Sequence, residues 1–501
     1  MRRIKVFLLN GIILTATSFL LRTIGVSFNV YIANKIGSEA VGVFQLVMSI
    51  YLFASTFALS GINLACMRIV SEELACGLEG NIKKAVKKGL LYSLTFGSSA
   101  CFLLICLAPT ISGYWLHHKV SAFPFYVIAI SLPFLSMTSC LNGYFSAVRR
   151  VGKNACMQVV EQLIQIVVTV YLLNLLLPAN VDFACLSLVL GTTISEVVSF
   201  LGNLILYWYD TRRYQKKWAT PSPFTKRILK ISLPIAITSY IRSGLSTFKQ
   251  LLIPLRLEKT GMSCQAALSS YGQINGMVLP ILFFPSSLLA SFSSLLIPEF
   301  SSFHVRGEKE KMQIAIKKIL KYSFLFSFAC GGIFWYFSKE LSSLIYHSEE
   351  ISFFLKVLSP LVVFMYVDNM IDGVLKGLDK QVGVMVVNII DLVTSISFIY
   401  FLLPIYGIVG YIIVIFLSEI LNFVVSLVQL IQELHFSLDW KNWLLKPILA
   451  CLFSSSMITL FFSSFGEITI LSVLIQIGLF LLLYALFLTF TGCLSKKDLK
   501  L

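Results

Sequence analysis

A chain of 501 residues that is 57% hydrophobic and only 13% charged departs from soluble globular composition, in which about a quarter of residues are charged. Its formal net charge of +16 comes from 40 Lys and Arg against 24 Asp and Glu. These basic residues fall in alternate loops rather than in one patch, which points to membrane topology and away from nucleic acid.

The first half carries apolar runs at 6–33, 41–66, 88–110, 122–146, 157–177 and 183–208. The second half carries them at 231–253, 266–297, 321–338, 353–376, 383–403 and 406–432, and a final pair follows at 446–464 and 468–491. Each is long enough to span a ~30 Å hydrocarbon core, and backbone groups in lipid are satisfied by helices. The expected fold class is therefore an all-α polytopic membrane protein with about fourteen transmembrane helices. The first run is too long for a signal peptide and contains Arg22.

Arg2, Arg3 and Lys5 precede the first run, Lys83 to Lys88 follow the second, and Arg149, Arg150 and Lys153 follow the fourth. A basic segment from Arg212 to Lys230 follows the sixth, Arg306 to Lys318 follow the eighth, and Lys496, Lys497 and Lys500 close the chain. The intervening loops hold few basic residues. By the positive-inside rule both termini are cytoplasmic and the number of spans is even.

The halves repeat. Ala85-Val86-Lys87-Lys88-Gly89-Leu90-Leu91-Tyr92-Ser93 matches Ala315-Ile316-Lys317-Lys318-Ile319-Leu320-Lys321-Tyr322-Ser323 at a separation of 230 residues. The same separation pairs Gly42 with Gly272, Gly143 with Gly373, and Glu161 with Asp391; a shifted register pairs Ser195-Glu196 with Ser418-Glu419. Arg22 pairs with Arg242 if the loop after the seventh run is longer by about the length of Arg256 to Gln265. An even number of spans per half makes this a parallel repeat about an axis along the membrane normal. The expected organisation is two pseudo-symmetric six-helix lobes, 1–210 and 231–435, joined by a cytoplasmic linker at 211–230, with a C-terminal helix pair in 436–501.

Charges inside apolar runs carry the functional signal. Ser18, Arg22, Gly25 and Asn29 share one face of the first helix, and Thr238, Arg242, Ser246 and Lys249 share one face of the seventh. An arginine or lysine at a helix centre costs roughly 2.5–3.5 kcal/mol on insertion scales, so such stripes are expected to line a cleft between the lobes. Arginine offers a forked donor pair and lysine a point charge, which suits a phosphate or diphosphate. The alternative is structural pairing with membrane carboxylates. Glu161, Glu196, Asp391 and Glu419 are the candidates, each among polar neighbours at helical spacing. They either stitch helices together or bind a coupling proton or cation, and their recurrence in both halves favours stitching.

No metal site or other cofactor is expected. The 11 cysteines are scattered without a C-x-x-C pair, and His117, His118, His304, His347 and His435 sit in loops or at helix ends. The one Gly-Lys step, Gly152-Lys153, is followed by Asn154, so there is no P-loop.

Several of these features together resemble a known family. They are mid-membrane Arg22, the Gly37-x-x-x-x-Gly42 entry to the second helix, the Arg68-Ile69-Val70-Ser71-Glu72 exit, Ile297-Pro298-Glu299 and the Glu161-Gln162 pair. The chain resembles the stage V sporulation protein B-like family in the polysaccharide-transport branch of the multidrug/oligosaccharidyl-lipid/polysaccharide (MOP) flippase superfamily. The resemblance implies a non-enzymatic flippase of the bacterial cytoplasmic membrane that works by alternating access. Its implied cargo is an undecaprenyl-diphosphate-linked saccharide, with lipid II for spore cortex peptidoglycan first. It also implies a central cationic cavity containing Arg22 and Arg242, drive from a coupling cation or the membrane potential, and a peptidoglycan polymerase as a candidate partner. Gln165 departs from the arginine expected after the Glu-Gln pair. The rival readings are a cation-coupled multidrug exporter of the same superfamily and a membrane enzyme of lipid-linked sugar metabolism.

Overall fold

The computed structural model describes residues 2–115, 121–176, 181–212, 223–462 and 469–494. His117, His118, positions 213–222 of the expected linker and the closing lysines lie outside the described residues. Among the described residues all regular structure is helical.

The chain begins with α1 (Arg2–Leu59), α2 (Ile62–Ala75), α3 (Glu79–Thr110), α4 (Phe123–Ala129), α5 (Ser131–Ala147), α6 (Val151–Leu176) and α7 (Val181–Thr211). It continues with α8 (Phe224–Leu257), α9 (Cys264–Tyr271), a π-helical stretch Gly272–Val278, α10 (Leu279–Phe283) and α11 (Ser286–Arg306). Then follow α12 (Lys309–Tyr336), α13 (Ser338–Tyr346), α14 (Glu350–Leu358), α15 (Leu361–Gly377), α16 (Gln381–Leu434), α17 (Lys446–Phe462) and α18 (Ile470–Phe490).

Ten of the described helices are long and apolar enough to cross a membrane, or eleven if the bent pair α14 and α15 counts as one span. This falls short of the expected fourteen for a physical reason. Helix α1 and helix α16 each hold two expected spans end to end, broken at Gly37 (φ 80, ψ 168) and Gly407 (φ 57, ψ −132). Both breaks need positive φ, which glycine adopts without steric cost. Helix α8, which carries Arg242 and Lys249, is not among the ten.

The helices form two compact units. The first contains Met1–Phe28, Lys35–Leu255 and Ser263–Gly272, and the second Asn29–Asn34, Arg256–Met262 and Gln273–Leu501. The boundary differs from the linker expected at 211–230, because α8 packs with the first unit through contacts described below. In the first unit α5 lies against α2 and α3, and α6 runs along α7. Their core gathers Ile62, Ile69, Ile82, Val86, Tyr144 and Phe145. In the second, α15 lies against α11, α12 and α16, and α17 packs on α18 and α12. That core gathers Phe300, Met312, Ile316, Val374 and Leu375.

The sequence repeat is written into local structure. The start of α3 at Glu79 recurs as the start of α12 at Lys309; α5 and α15 share both ends, Ser131/Leu361 and Ala147/Gly377. Positive φ recurs at Gly77 and Gly307 and at Arg149 and Asp379, all at the same separation. Packing repeats too. A Cβ on Gly143 would lie 2.4 Å from the Asn63 carbonyl oxygen, and one on Gly373 would lie 2.8 Å from that of Ser293, so the missing methyl lets each helix pair close. An ion pair recurs too, its basic member at the same separation and its acidic member in the shifted register that pairs Glu196 with Glu419. Asp210 accepts from Lys153 at 2.9 Å and pairs with Arg150, while Lys380 pairs with Glu433 at 2.6 Å.

Candidate functional site

Arg22 on α1 and Arg242 on α8 both belong to the first unit and are both exposed. Among the described residues neither guanidinium has a hydrogen-bond or ion-pair partner. A lone arginine facing hydrocarbon is costly, so surroundings of water or an anionic ligand suit both groups better than lipid.

Helix α8 is fastened to the second part of α1 along its length. Thr56 Oγ1 donates to Ser243 Oγ at 3.1 Å, Thr247 Oγ1 donates to the Ser49 carbonyl at 2.8 Å, and the Tyr240 and Ser60 hydroxyls are hydrogen-bonded. Gly244 has no Cβ; one placed there would lie 3.3 Å from the Phe53 ring. At the start of α8, Arg227 forks onto Glu73 at 2.6 Å and Glu72 at 2.7 Å. Glu72 also pairs with Arg68 at 2.9 Å, and Asn81 donates to Glu73 at 3.0 Å. These bonds, that to Glu73 foremost, raise the Arg227 pKa above its ordinary value. With 3.6 residues per turn, the residues that grip α1 occupy one side of α8, and Thr238 and Arg242 lie on the other. Thr238 is exposed, and Ser246 and Lys249 are half-buried, the lysine engaged in contacts of its own.

On α1 the neighbour of Arg22 is fixed from α6. Gln162 Nε2 donates to the Leu21 carbonyl at 3.0 Å. A Cβ on Gly25, one turn further, would sit 3.2 Å from that nitrogen, so glycine leaves room for the amide. Ser18 is exposed, and Asn29 is half-buried and groups with the second unit. The structure thus gathers Ser18, Arg22, Thr238, Arg242, Ser246 and Lys249 in one unit and leaves Asn29 with the other.

The carboxylates bond to the helices beside them. Ser199 Oγ on α7 donates to Glu161 Oε2 on α6 at 2.6 Å, and Gln165 Nε2 donates to Thr192 Oγ1 at 3.1 Å. Glu196 is buried on the same α7. In α16, Ser418 Oγ donates to Asp391 Oδ1 at 2.5 Å and receives a bond from Ser395 at 2.9 Å. Glu419 is half-buried and has partners of its own. In both units a carboxylate thus takes a hydroxyl donor from a neighbouring helical segment, between α6 and α7 in the first and between the two parts of α16 in the second.

Three acidic groups escaped the sequence reading. Asp368 on α15 accepts from Asn422 Nδ2 at 2.7 Å, Asp210 takes a bond from the Tyr144 hydroxyl at 2.7 Å beside its basic partners, and Glu73 anchors Arg227. The visible signal for each was a carboxylate in or beside an apolar run. Among the described residues no group of three His, Cys, Asp or Glu side chains is placed to hold a metal ion, and the cysteines are free thiols.

Residues 7–304 match the family described as polysaccharide biosynthesis protein, and residues 261–401 match the MatE family. Stage V sporulation protein B of Bacillus subtilis (strain 168) is 24% identical over 469 residues, 92% of this chain and 90% of that protein. The lipid II flippase MurJ of the same organism is 22% identical over 422 residues, 77% of this chain and 75% of its own. A solved structure of the lipid II flippase MurJ in an inward closed conformation shares the fold with a TM-score of 0.73 at 14% identity, covering 96% of this chain and 98% of that one.

Proposed function

Because the chain belongs to the polysaccharide biosynthesis protein family, within the MOP superfamily, we propose that it flips an undecaprenyl-diphosphate-linked saccharide across the bacterial cytoplasmic membrane. The cargo assigned first is lipid II for spore cortex peptidoglycan, since the relatives named above include a sporulation protein and a lipid II flippase. The protein acts as a transporter by alternating access, with both termini cytoplasmic. A peptidoglycan polymerase is the partner that would consume its product.

The observation that carries this reading is the pair Arg22 and Arg242, two exposed guanidiniums on helices of the first unit that have no partner among the described residues. Each offers a planar fork to one phosphoryl group of a diphosphate. Ser18, Thr238, Ser246 and Lys249 add hydroxyl donors and a further charge along the same stripes, and Asn29 continues the α1 stripe. The saccharide crosses beside these polar groups while the isoprenoid tail stays in lipid. A diphosphate bearing about two negative charges gains roughly 4.6 kcal/mol on moving outward across 100 mV. The potential is thus enough to bias the direction without nucleotide. The carboxylates Glu161, Glu196, Asp391 and Glu419 are assigned to holding helices together.

The test is flipping in proteoliposomes of defined potential, with lipid II against other diphosphate-linked oligosaccharides. The expected result is faster flipping of lipid II, dependent on potential and indifferent to ATP. Equal rates with the potential collapsed would contradict the electrostatic drive, and no flipping of any diphosphate-linked saccharide would contradict the function.

A further inference from the structure

Helices α3 and α12 are repeat partners, and their inward faces match position for position. Val86 and Ile316, Ser93 and Ser323, Gly97 and Ser327, and Leu104 and Phe334 each stand 230 residues apart, and all of them are buried. Helix α3 lies against α5, and α12 against its repeat partner α15. The opposite faces differ. That of α12 is covered by the C-terminal helix pair. The Tyr484 hydroxyl on α18 donates to the Leu325 carbonyl at 2.9 Å, and Cys451 Sγ on α17 donates to the Phe328 carbonyl at 3.3 Å. The Tyr336 hydroxyl is bonded to Thr459 Oγ1 at 2.8 Å, and Ala329 is buried against Ala450 and Tyr484. A Cβ on Gly332 would lie 2.9 Å from both Cys451 Sγ and Phe480 Cζ, so the missing methyl lets the pair seat.

The α12 positions under that pair are Leu325, Phe328, Ala329, Gly332, Ile333 and Tyr336. Their counterparts on α3 are Thr95, Ser98, Ser99, Phe102, Leu103 and Cys106, and every one of these is exposed. The repeat thus shows what covers this face in the second half, and the first half brings no such helices of its own. The composition of the face is also unlike one made for lipid alone. On α18 the exposed side is Leu471, Leu474, Leu482 and Leu486. On α3 the middle of the exposed side carries three hydroxyls. Thr95 Oγ1 donates to the Tyr92 carbonyl at 2.8 Å and Ser99 Oγ to the Thr95 carbonyl at 2.7 Å. Each oxygen keeps lone pairs for a donor from outside, which hydrocarbon does not supply.

We propose that this face of α3 docks a transmembrane helix of a partner membrane protein, in the place that α17 and α18 take on α12. The face defines the partner by its chemistry. The partner helix is uncharged at this depth, because a charge would be buried in hydrocarbon with no counter-charge on α3. It carries side-chain donors opposite Thr95 and Ser99. It has a small residue where it crosses Phe102, which is 66% exposed and stands where α12 has the hollow of Gly332. A second copy of this chain fits worse. Two copies related by an axis along the membrane normal bring the same residues together, so Phe102 would meet Phe102 and hold the hydroxyls apart. Docking here needs no particular cargo, and it sets the partner against the unit that carries Arg22 and Arg242.

The experiment replaces Leu103, or Leu474 on α18 as a control, by the photo-reactive p-benzoylphenylalanine in the full-length chain in its native membranes. Irradiation should join the chain through position 103, and not through 474, to one membrane protein. The same photo-reactive residue placed along that protein's transmembrane helix should return the adduct to α3. Ser98→Leu with Ser99→Leu should weaken the adduct several-fold at unchanged membrane level. Adducts to lipid alone, an adduct to a second copy, or a protein adduct that the leucine pair leaves unchanged would overturn the docking face. The unaltered chain gives an independent reading. Cys106 should react several-fold more slowly with a membrane-permeant maleimide in native membranes than in vesicles of the purified protein in the same lipids. Cys156, exposed on α6, should react equally in both. Equal rates at Cys106 would overturn the proposal even if the leucine variant failed to fold.

Discussion

Gln162 reaches from α6 to donate its amide to the Leu21 carbonyl, one residue before Arg22, at 3.0 Å. The bond ties the charged face of α1 to the helix that carries Glu161, and Gly25 makes space for it. Replacing Gln162 by leucine keeps the bulk and removes the donor. A hydrogen bond of this kind contributes about 1 kcal/mol net, so lipid II flipping should slow by roughly fivefold if the bond holds Arg22 in its working pose. Flipping rates beside membrane protein levels check this. An unchanged rate at equal protein level would remove Gln162 from the account.

The carboxylates separate stitching from ion coupling. Glu161→Gln and Asp391→Asn keep an acceptor for Ser199 and Ser418, whereas Glu161→Ala removes it. The isosteric amides should retain transport, and the alanine variant should lower stability by about 0.6 kcal/mol, the average for hydrogen bonds between membrane helices, and by no more than about 1.7 kcal/mol. An amide variant that inserts at normal level but does not transport would make that carboxylate an ion carrier instead.

The repeated ion pair predicts an asymmetry. The Asp210 side chain is 1% exposed beside Arg150 and Lys153, while Glu433 is 35% exposed beside Lys380. Exposed pairs contribute roughly 0–1 kcal/mol, and breaking buried ones costs roughly 3–5 kcal/mol. Asp210→Ala should therefore lower the thermal unfolding midpoint clearly more than Glu433→Ala, at a value between those limits because the partners of Asp210 are partly solvated. Equal shifts would show that burial does not set the strength of these pairs.

The repeat and the helical class were legible from residues 85–93 and 315–323, because packing glycines and helix ends recur at one fixed separation. The allegiance of α8 was not. Its grip on α1 uses Ser243, Gly244 and Thr247, small residues that give no periodic signal, and sequence order alone put it with the second half. The same limit hid the pairing of Asp368 with Asn422, since a single carboxylate in an apolar run does not reveal which helix supplies its donor. Arg22 and Arg242 stood out because an arginine in hydrocarbon is costly wherever the fold carries it. Their sharing of one unit was visible only from contacts.

Arg22 and Arg242 are the groups proposed to hold the diphosphate. The direct measurement is lipid II flipping in proteoliposomes by Arg22→Ala and Arg242→Ala, with the matching lysine variants and insertion measured alongside. Alanine at either position should abolish flipping while insertion is unchanged or improved, since a charge has been removed from a membrane helix. Lysine should restore part of the activity, because it keeps the charge and loses the fork. Undiminished flipping with both arginines replaced by alanine would contradict the cationic site.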